Sequence, residues 1–399
     1  MADTMSSSST PSPEGAGPCR PRLVHESYTI AWICALSIET AAAMAMLDEM
    51  HEELPRISEH DNNCYKLGRI GRHNVVIATL PSGEYGTSSA SSVSRNLLHT
   101  FPNIRHGLLV GIGGGVPSQN HDIRLGDVVV SSPADGNGGV FQYDFGKAIQ
   151  GKGFQNTRFL NQPPSIMRAV TGALRADEEL HGCHLDDIIE AALNRYPRLR
   201  KNYCRPDASS DRLYPSDVIH DESCCTDIGD ASQQIIRAPR TGDESNPAIH
   251  YGLIASANQL IKDASIRDRL ASEKDVLCFE MEAGGLMNEL PCLVVRGISD
   301  YADTHKNDVW QRYAAISAAS YARIFLQQLP AVKPISHSNT RTNQGFENMS
   351  TSHQALSGSL SRRASHQRLG GLIRHRPPPG IQKIFSTFKT RVLKIIFLR

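Results

Sequence analysis

Short apolar runs recur through the middle of the chain, each closed by an acid, a glycine or a small polar residue. Tyr28–Leu36 is apolar almost throughout, which predicts a strand buried on both faces, as in a parallel sheet. Ser37-Ile-Glu-Thr40 then turns into an Ala/Met-rich helix over about 40–50. Cys64–Ile70 and Asn74–Thr79 alternate and predict a hairpin around Gly71-Arg72. A Gly/Ser loop, Leu80–Ala90, leads into a helix over 88–100. His106–Val110 predicts another buried strand, followed by Gly111-Ile-Gly-Gly-Gly-Val116. Those glycines either pack backbone beside a ligand or make a tight strand-to-strand turn.

Val128–Ser131 predicts a strand, and the aromatic, Gly-rich Asp135–Gly153 a short hairpin. Helical spacing covers Pro164–Leu180 and Leu185–Tyr196. Lys201–Asn246 is polar and irregular and reads as a surface insertion. Ile249–Ala255 predicts a strand, with a polar helix starting at Ser256 and reaching about 271. Val276–Phe279 stops at Glu280, Ala283–Leu290 is helical up to Pro291, and Cys292–Val295 leads to Ile298-Ser-Asp300. Trp310–Gln328 closes the pattern as a helix. The organisation expected is a disordered N-terminus over 1–24, one domain over 25–330 with an insertion at 201–248, and a disordered tail over 331–399. Ile381–Arg399 is patterned either as a basic amphipathic helix for a membrane surface or protein, or as a solvated tail.

Composition narrows the classes. Hydrophobic residues make up 40% and charged residues 21%, as in a soluble globular protein. The net charge of +1 gives no overall field for nucleic acid or membrane. Nine scattered cysteines, without a C-x-x-C pair, argue for a reducing, cytoplasmic setting rather than a disulfide framework. Cys224-Cys225 is a poor pair for ligating one metal. Arg362-Arg-Ala-Ser365 suits a basophilic kinase only as a common chance pattern.

The chemistry concentrates where buried strands end: Glu39, Gly111–Gly115, Glu280 with Glu282, and Asp300. In open α/β sheets that edge binds ligands. The glycine run is not followed by a helix, so it is no dinucleotide fingerprint. There is no P-loop Lys, nucleophile elbow or metal-ligand spacing. Paired acids without a metal suit acid/base cleavage of a glycosidic bond. Glu39 is equally a first-turn acid favoured by the helix dipole. One of Glu280 and Glu282 is expected to face a ligand. Each of the two is otherwise a solvated acid.

Four motifs in order carry a resemblance: Cys34-Ala-Leu-Ser-Ile-Glu39, Leu125-Gly-Asp-Val-Val-Val130, Phe279-Glu-Met-Glu-Ala283 and Val294-Val-Arg-Gly-Ile-Ser-Asp300. Together they resemble the nucleoside phosphorylase/nucleosidase family over roughly 28–329. Gly111–Pro117, His250–Ser256 and Asp300–Asn307 are similar to its fungal branch, where the domain often begins immune-receptor-like proteins. The resemblance implies a three-layer α/β/α fold with a central mixed twisted sheet, and a homo-oligomer. It implies cleavage of the N-glycosidic bond of purine nucleosides or nucleotides. Asp300 would donate to purine N7, supported by Ser299, and Glu39 would activate water. Glu282 would hold the ribose hydroxyls with Met281 against the sugar. Leu260 falls where relatives stack an aromatic on the base, beside Asn258, and Gly86, Thr87 and Gly113 would border the anion or water pocket. No cofactor or metal is implied, although inorganic phosphate would be a co-substrate in a phosphorylase. Relatives of that kind hold phosphate with arginines, and Ile38–Ala45 and Gly83–Ser92 contain none. That favours hydrolysis. Arg95, Arg105 or Arg124 reaching a phosphate would favour phosphorolysis, and a non-catalytic nucleoside sensor is the third reading.

Overall fold

The apolar segment after Tyr28 becomes a strand whose five residues, Ile30–Cys34, are all buried. The computed structural model describes residues 20–331, apart from 57, 135, 221–232 and 242–243. The N-terminal stretch to residue 19, the Cys224-Cys225 pair, and the tail from 332 with Arg362–Ser365 and 381–399 lie outside the described residues.

In chain order the elements are β1 (Ile30–Cys34), α1 (Ser37–Ala45), β2 (Glu49–Met50), β3 (Tyr65–Ile70), β4 (His73–Thr79), α2 (Thr87–Thr100), β5 (His106–Gly115), β6 (Val128–Ser131), β7 (Val140–Gln142), β8 (Gly146–Ile149) and β9 (Gly153–Asn156). They continue as α3 (Ser165–His181), α4 (Leu185–Arg195), α5 (Pro197–Tyr203), β10 (Ile249–Ser256), α6 (Ala264–Lys274), β11 (Val276–Glu280), α7 (Ala283–Leu286), β12 (Cys292–Asp300) and α8 (Gln311–Gln328). Among the described residues the main sheet runs β11-β10-β6-β12-β5-β1-β4-β3-β2, with β7 added to β10. It is mixed: β4, β1, β5 and β12 are parallel neighbours, and β12 meets β6 antiparallel. Helices surround it. α8 lies along β12 and β5, with α1, α3, α4 and α5 gathered on it, while α2 and α7 pack together.

The glycine run is not a turn. It forms the second half of β5, and Gly114 and Gly115 pair antiparallel with Phe279 and Cys278 of β11. This pairing closes β11, β10, β6, β12 and β5 into a barrel-like ring. Only glycine permits the approach: a Cβ on Gly113 would stand 2.9 Å from the Phe279 carbonyl oxygen, and one on Gly115 2.7 Å from Ile298 Cγ2.

Other boundaries move for local reasons. Ser256 stays in β10 because it pairs with Glu280. The helix after it starts at Ala264, where the Asp263 carboxylate accepts from the Ser265 and Ile266 N–H groups. Residues 257–263 are therefore loop. The hairpin expected over 135–153 is displaced: β8 and β9 pair with each other, and β7 joins β10 in parallel. The polar insertion is not all surface, since Leu213 and Tyr214 are buried and Tyr214 stacks on His305 with ring centroids 3.9 Å apart.

Candidate active site

The ring gathers the ends of β5, β11 and β12 around one buried cation, Arg296. It lies in the middle of β12, whose nine residues are all buried. Its Nη2 donates to Glu280 Oε2 at 2.5 Å and to Glu282 Oε2 at 3.1 Å. Its Nη1 donates to the Ile112 carbonyl at 3.3 Å. Both glutamates, not one alone, therefore face the centre of the site. β11 ends at Glu280, and the backbone at Glu282 is already helical, with φ −110° and ψ −36°. Glu280 has a structural task as well: it accepts from the N–H groups of Glu282 and Ala283 at 3.0 Å each.

Glu39 faces the same centre from the first turn of α1. Its Oε2 accepts from the Ala35 and Leu36 N–H groups at 2.7 and 2.9 Å, and its Oε1 from the Ile112 N–H at 2.8 Å. It is thus both a helix-start acid and a member of the site. Gly111 leaves the room for this: a Cβ there would touch the Glu39 carboxylate and stand 2.6 Å from Arg296 Nη1. Burial pushes the Glu39 carboxyl above its usual range, against Arg296 and three backbone donors. Burial also pushes Glu282 up to about 7, opposed by Arg296 and reinforced by Glu280 and Glu39. Burial alone would lower the Arg296 guanidinium, but the three carboxylates raise it.

Asp300 ends β12 and is 5% exposed. Its Oδ2 accepts from Ser299 Oγ at 2.8 Å and Lys306 Nζ at 2.7 Å, and its Oδ1 from the Ala302 N–H at 3.0 Å. Asp300, Lys306, Met281, Leu260 and Gly114 border one cleft of about 20 Å³, room for a single water. A purine therefore needs Lys306 or the half-exposed Leu260 loop to shift.

Other expected contacts are already engaged. Gly86 N–H donates to Glu282 Oε1 at 3.2 Å. The Thr87 N–H and hydroxyl both donate to Asn258 Oδ1 at 3.0 Å. Asn258 in turn donates its N–H to Asp144 at 2.8 Å. These groups tie α2, the 257–263 loop and Glu282 together. Gly113 offers its carbonyl to Ser299 Oγ at 3.4 Å. Arg95 and Arg105 are exposed, and Arg105 precedes β5 at the end away from the glycines. Arg124 is paired with Asp122 at 2.6 Å. Among the described residues no cluster of His, Cys, Asp and Glu could hold a metal ion.

Arg296 and Lys306 are absent from the expected site. The signal for Arg296 was available: a cation inside a buried apolar strand requires anions opposite it. Lys306 had no comparable signal, because its reach back to Asp300 depends on the turn between them.

The model of the phosphorylase superfamily matches residues 29–327. A nucleotide-binding leucine-rich repeat (NLR)-like protein of Hyaloscypha variabilis is 44% identical over 309 residues, covering 77% of this chain and 30% of that protein. A 5′-methylthioadenosine/S-adenosylhomocysteine nucleosidase of Mycobacterium bovis is 25% identical over 315 residues, covering 77% and 98%. An ATP nucleosidase of Escherichia coli is 24% identical over 315 residues, covering 77% and 52%. The chain thus spans under a third of the NLR-like protein and about half of the ATP nucleosidase.

Proposed function

Because the chain belongs to the phosphorylase superfamily, we propose that it hydrolyses the N-glycosidic bond of a purine nucleoside or nucleotide. Glu282 holds the ribose 2′ and 3′ hydroxyls, with Met281 against the sugar. Asp300 delivers a proton to purine N7, which neutralises the departing base as the sugar becomes oxocarbenium-like. Glu39 takes the proton of the attacking water. One observation carries the choice of water over phosphate. Among the described residues, Glu39, Glu280 and Glu282 surround Arg296, so three carboxylates face one guanidinium. A phosphate dianion entering there would meet net negative charge. The N–H groups of Gly86 and Thr87, which would suit an anion, are bound to Glu282 and Asn258.

The similarity to an NLR-like protein supports a second reading, in which the domain senses a nucleoside or nucleotide without cleaving it. One assay separates the readings. Adenosine, inosine, methylthioadenosine and ATP are incubated with the protein, with and without phosphate, and free base is followed. Hydrolysis predicts base release independent of phosphate, lowered about 10²–10⁴-fold by Asp300→Asn. Strict dependence on phosphate would replace hydrolysis by phosphorolysis. Binding without release of base from any donor would favour the sensor.

A further inference from the structure

We infer that the proton delivered to the leaving base is stored on Lys306, with Asp300 as its relay. This rests on the hydrolytic reading and deepens it. Three observations support it. The Asp300 carboxyl accepts from the Ala302 N–H and Lys306 Nζ, with Ser299 Oγ 2.8 Å away. An ammonium has donors only, so the ion pair of Lys306 with Asp300 at 2.7 Å places a transferable proton on the nitrogen beside the acid. The pair is also sheltered, with side-chain exposures of 16% for Lys306 and 3% for Asp300. Finally, both groups border the cleft assigned to the base, so a purine admitted by movement of the Leu260 loop meets them together.

The step balances. A proton leaves Lys306 Nζ for Asp300 as Asp300 gives one to purine N7. The C1′–N9 bond breaks with its electron pair going to the base, which departs neutral. Water oxygen bonds to C1′ and its proton goes to Glu39. Neutral Lys306 and protonated Glu39 remain, and proton exchange through solvent resets both. Lys306 acts through Asp300 and is a positioning and proton-supplying residue.

The test compares guanosine with 7-methylguanosine, whose N7 carries a fixed positive charge and needs no proton. Lys306→Met is expected to lower kcat on guanosine about 10²-fold, within the range of general acid catalysis. Its kcat on 7-methylguanosine should match that of the unsubstituted chain. Lys306→Arg keeps an ion pair but cannot release its proton, so it is expected to resemble Lys306→Met. Equal losses on both substrates would overturn the inference in favour of a structural role. So would full activity of either variant on guanosine. An unsubstituted chain that releases base from neither substrate, nor from the donors above, would defeat the hydrolytic reading itself. Cleavage of guanosine that ignores Lys306 would defeat this inference alone.

Discussion

At the scale of single residues, the site is a surplus of buried negative charge around Arg296. Glu282 shows the consequence most directly. Its ordinary value is 4.5 and burial carries it to about 7. Below the lower value the carboxyl is neutral whether the chain is folded or not. Between the two values the folded chain keeps a proton that the unfolded chain has lost. Above about 7 the buried carboxylate bears its full desolvation cost, so the contribution of Glu282 to stability falls as pH rises through this window. Glu282→Gln removes the titration. The variant should melt above the unsubstituted chain at pH 8, by on the order of 1–3 kcal/mol, and the gap should close by pH 5. Base release should be lost at both. Melting curves at the two pH values decide it; a gap unchanged by pH would show that Glu282 is not the strained group. A buried carboxylate in a working site is thus expected to cost stability where it serves chemistry.

At the scale of elements, the decisive piece is the glycine half of β5. As a strand it passes between α1 and β12, and Ile112 offers its N–H to Glu39 and its carbonyl to Arg296. The backbone of Ile112 therefore spaces Glu39 from the central cation. Gly111→Ala places a methyl against Glu39 and 2.6 Å from Arg296 Nη1. Overpacking of this kind costs roughly 1–3 kcal/mol. Displacement of the two charged groups should lower free-base release about 10²-fold. Denaturant melts and steady-state assays of that variant measure both effects. A stable, fully active Gly111→Ala protein would mean that Glu39 and Arg296 do not need their observed separation.

At the scale of the whole molecule, the residues brought together at the site run from Glu39 to Lys306, inside the family match of 29–327. The insertion takes part in holding them. Arg237 donates to Tyr301 Oη at 2.6 Å and to Asp211 at 3.0 Å, which braces the turn that carries Lys306 back to Asp300. A chain ending at residue 331 should keep its melting temperature and its base release, because no part of the described site lies beyond that point. Lost activity in the truncated protein would show that the tail contributes to the site. The described residues contain no helix long and apolar enough to cross a membrane.

The sequence by itself determined the framework. Continuous apolar runs such as Ile30–Cys34 and Cys292–Val295 can only be buried strands in a chain of this composition, and acids at their ends fall on one sheet edge. Motif order then pointed to the family and to Glu39, Glu282 and Asp300. Tertiary structure decided the rest, because it turns on distances between segments far apart in sequence. Periodicity cannot show that a glycine run will bridge to β11 and close a ring. Nor can it show that Glu280 and Glu282 both reach Arg296, a residue of another strand. The cationic partners of the acids, Arg296 and Lys306, were set in the same way, by which side chains the closed ring and the braced turn brought within hydrogen-bonding reach.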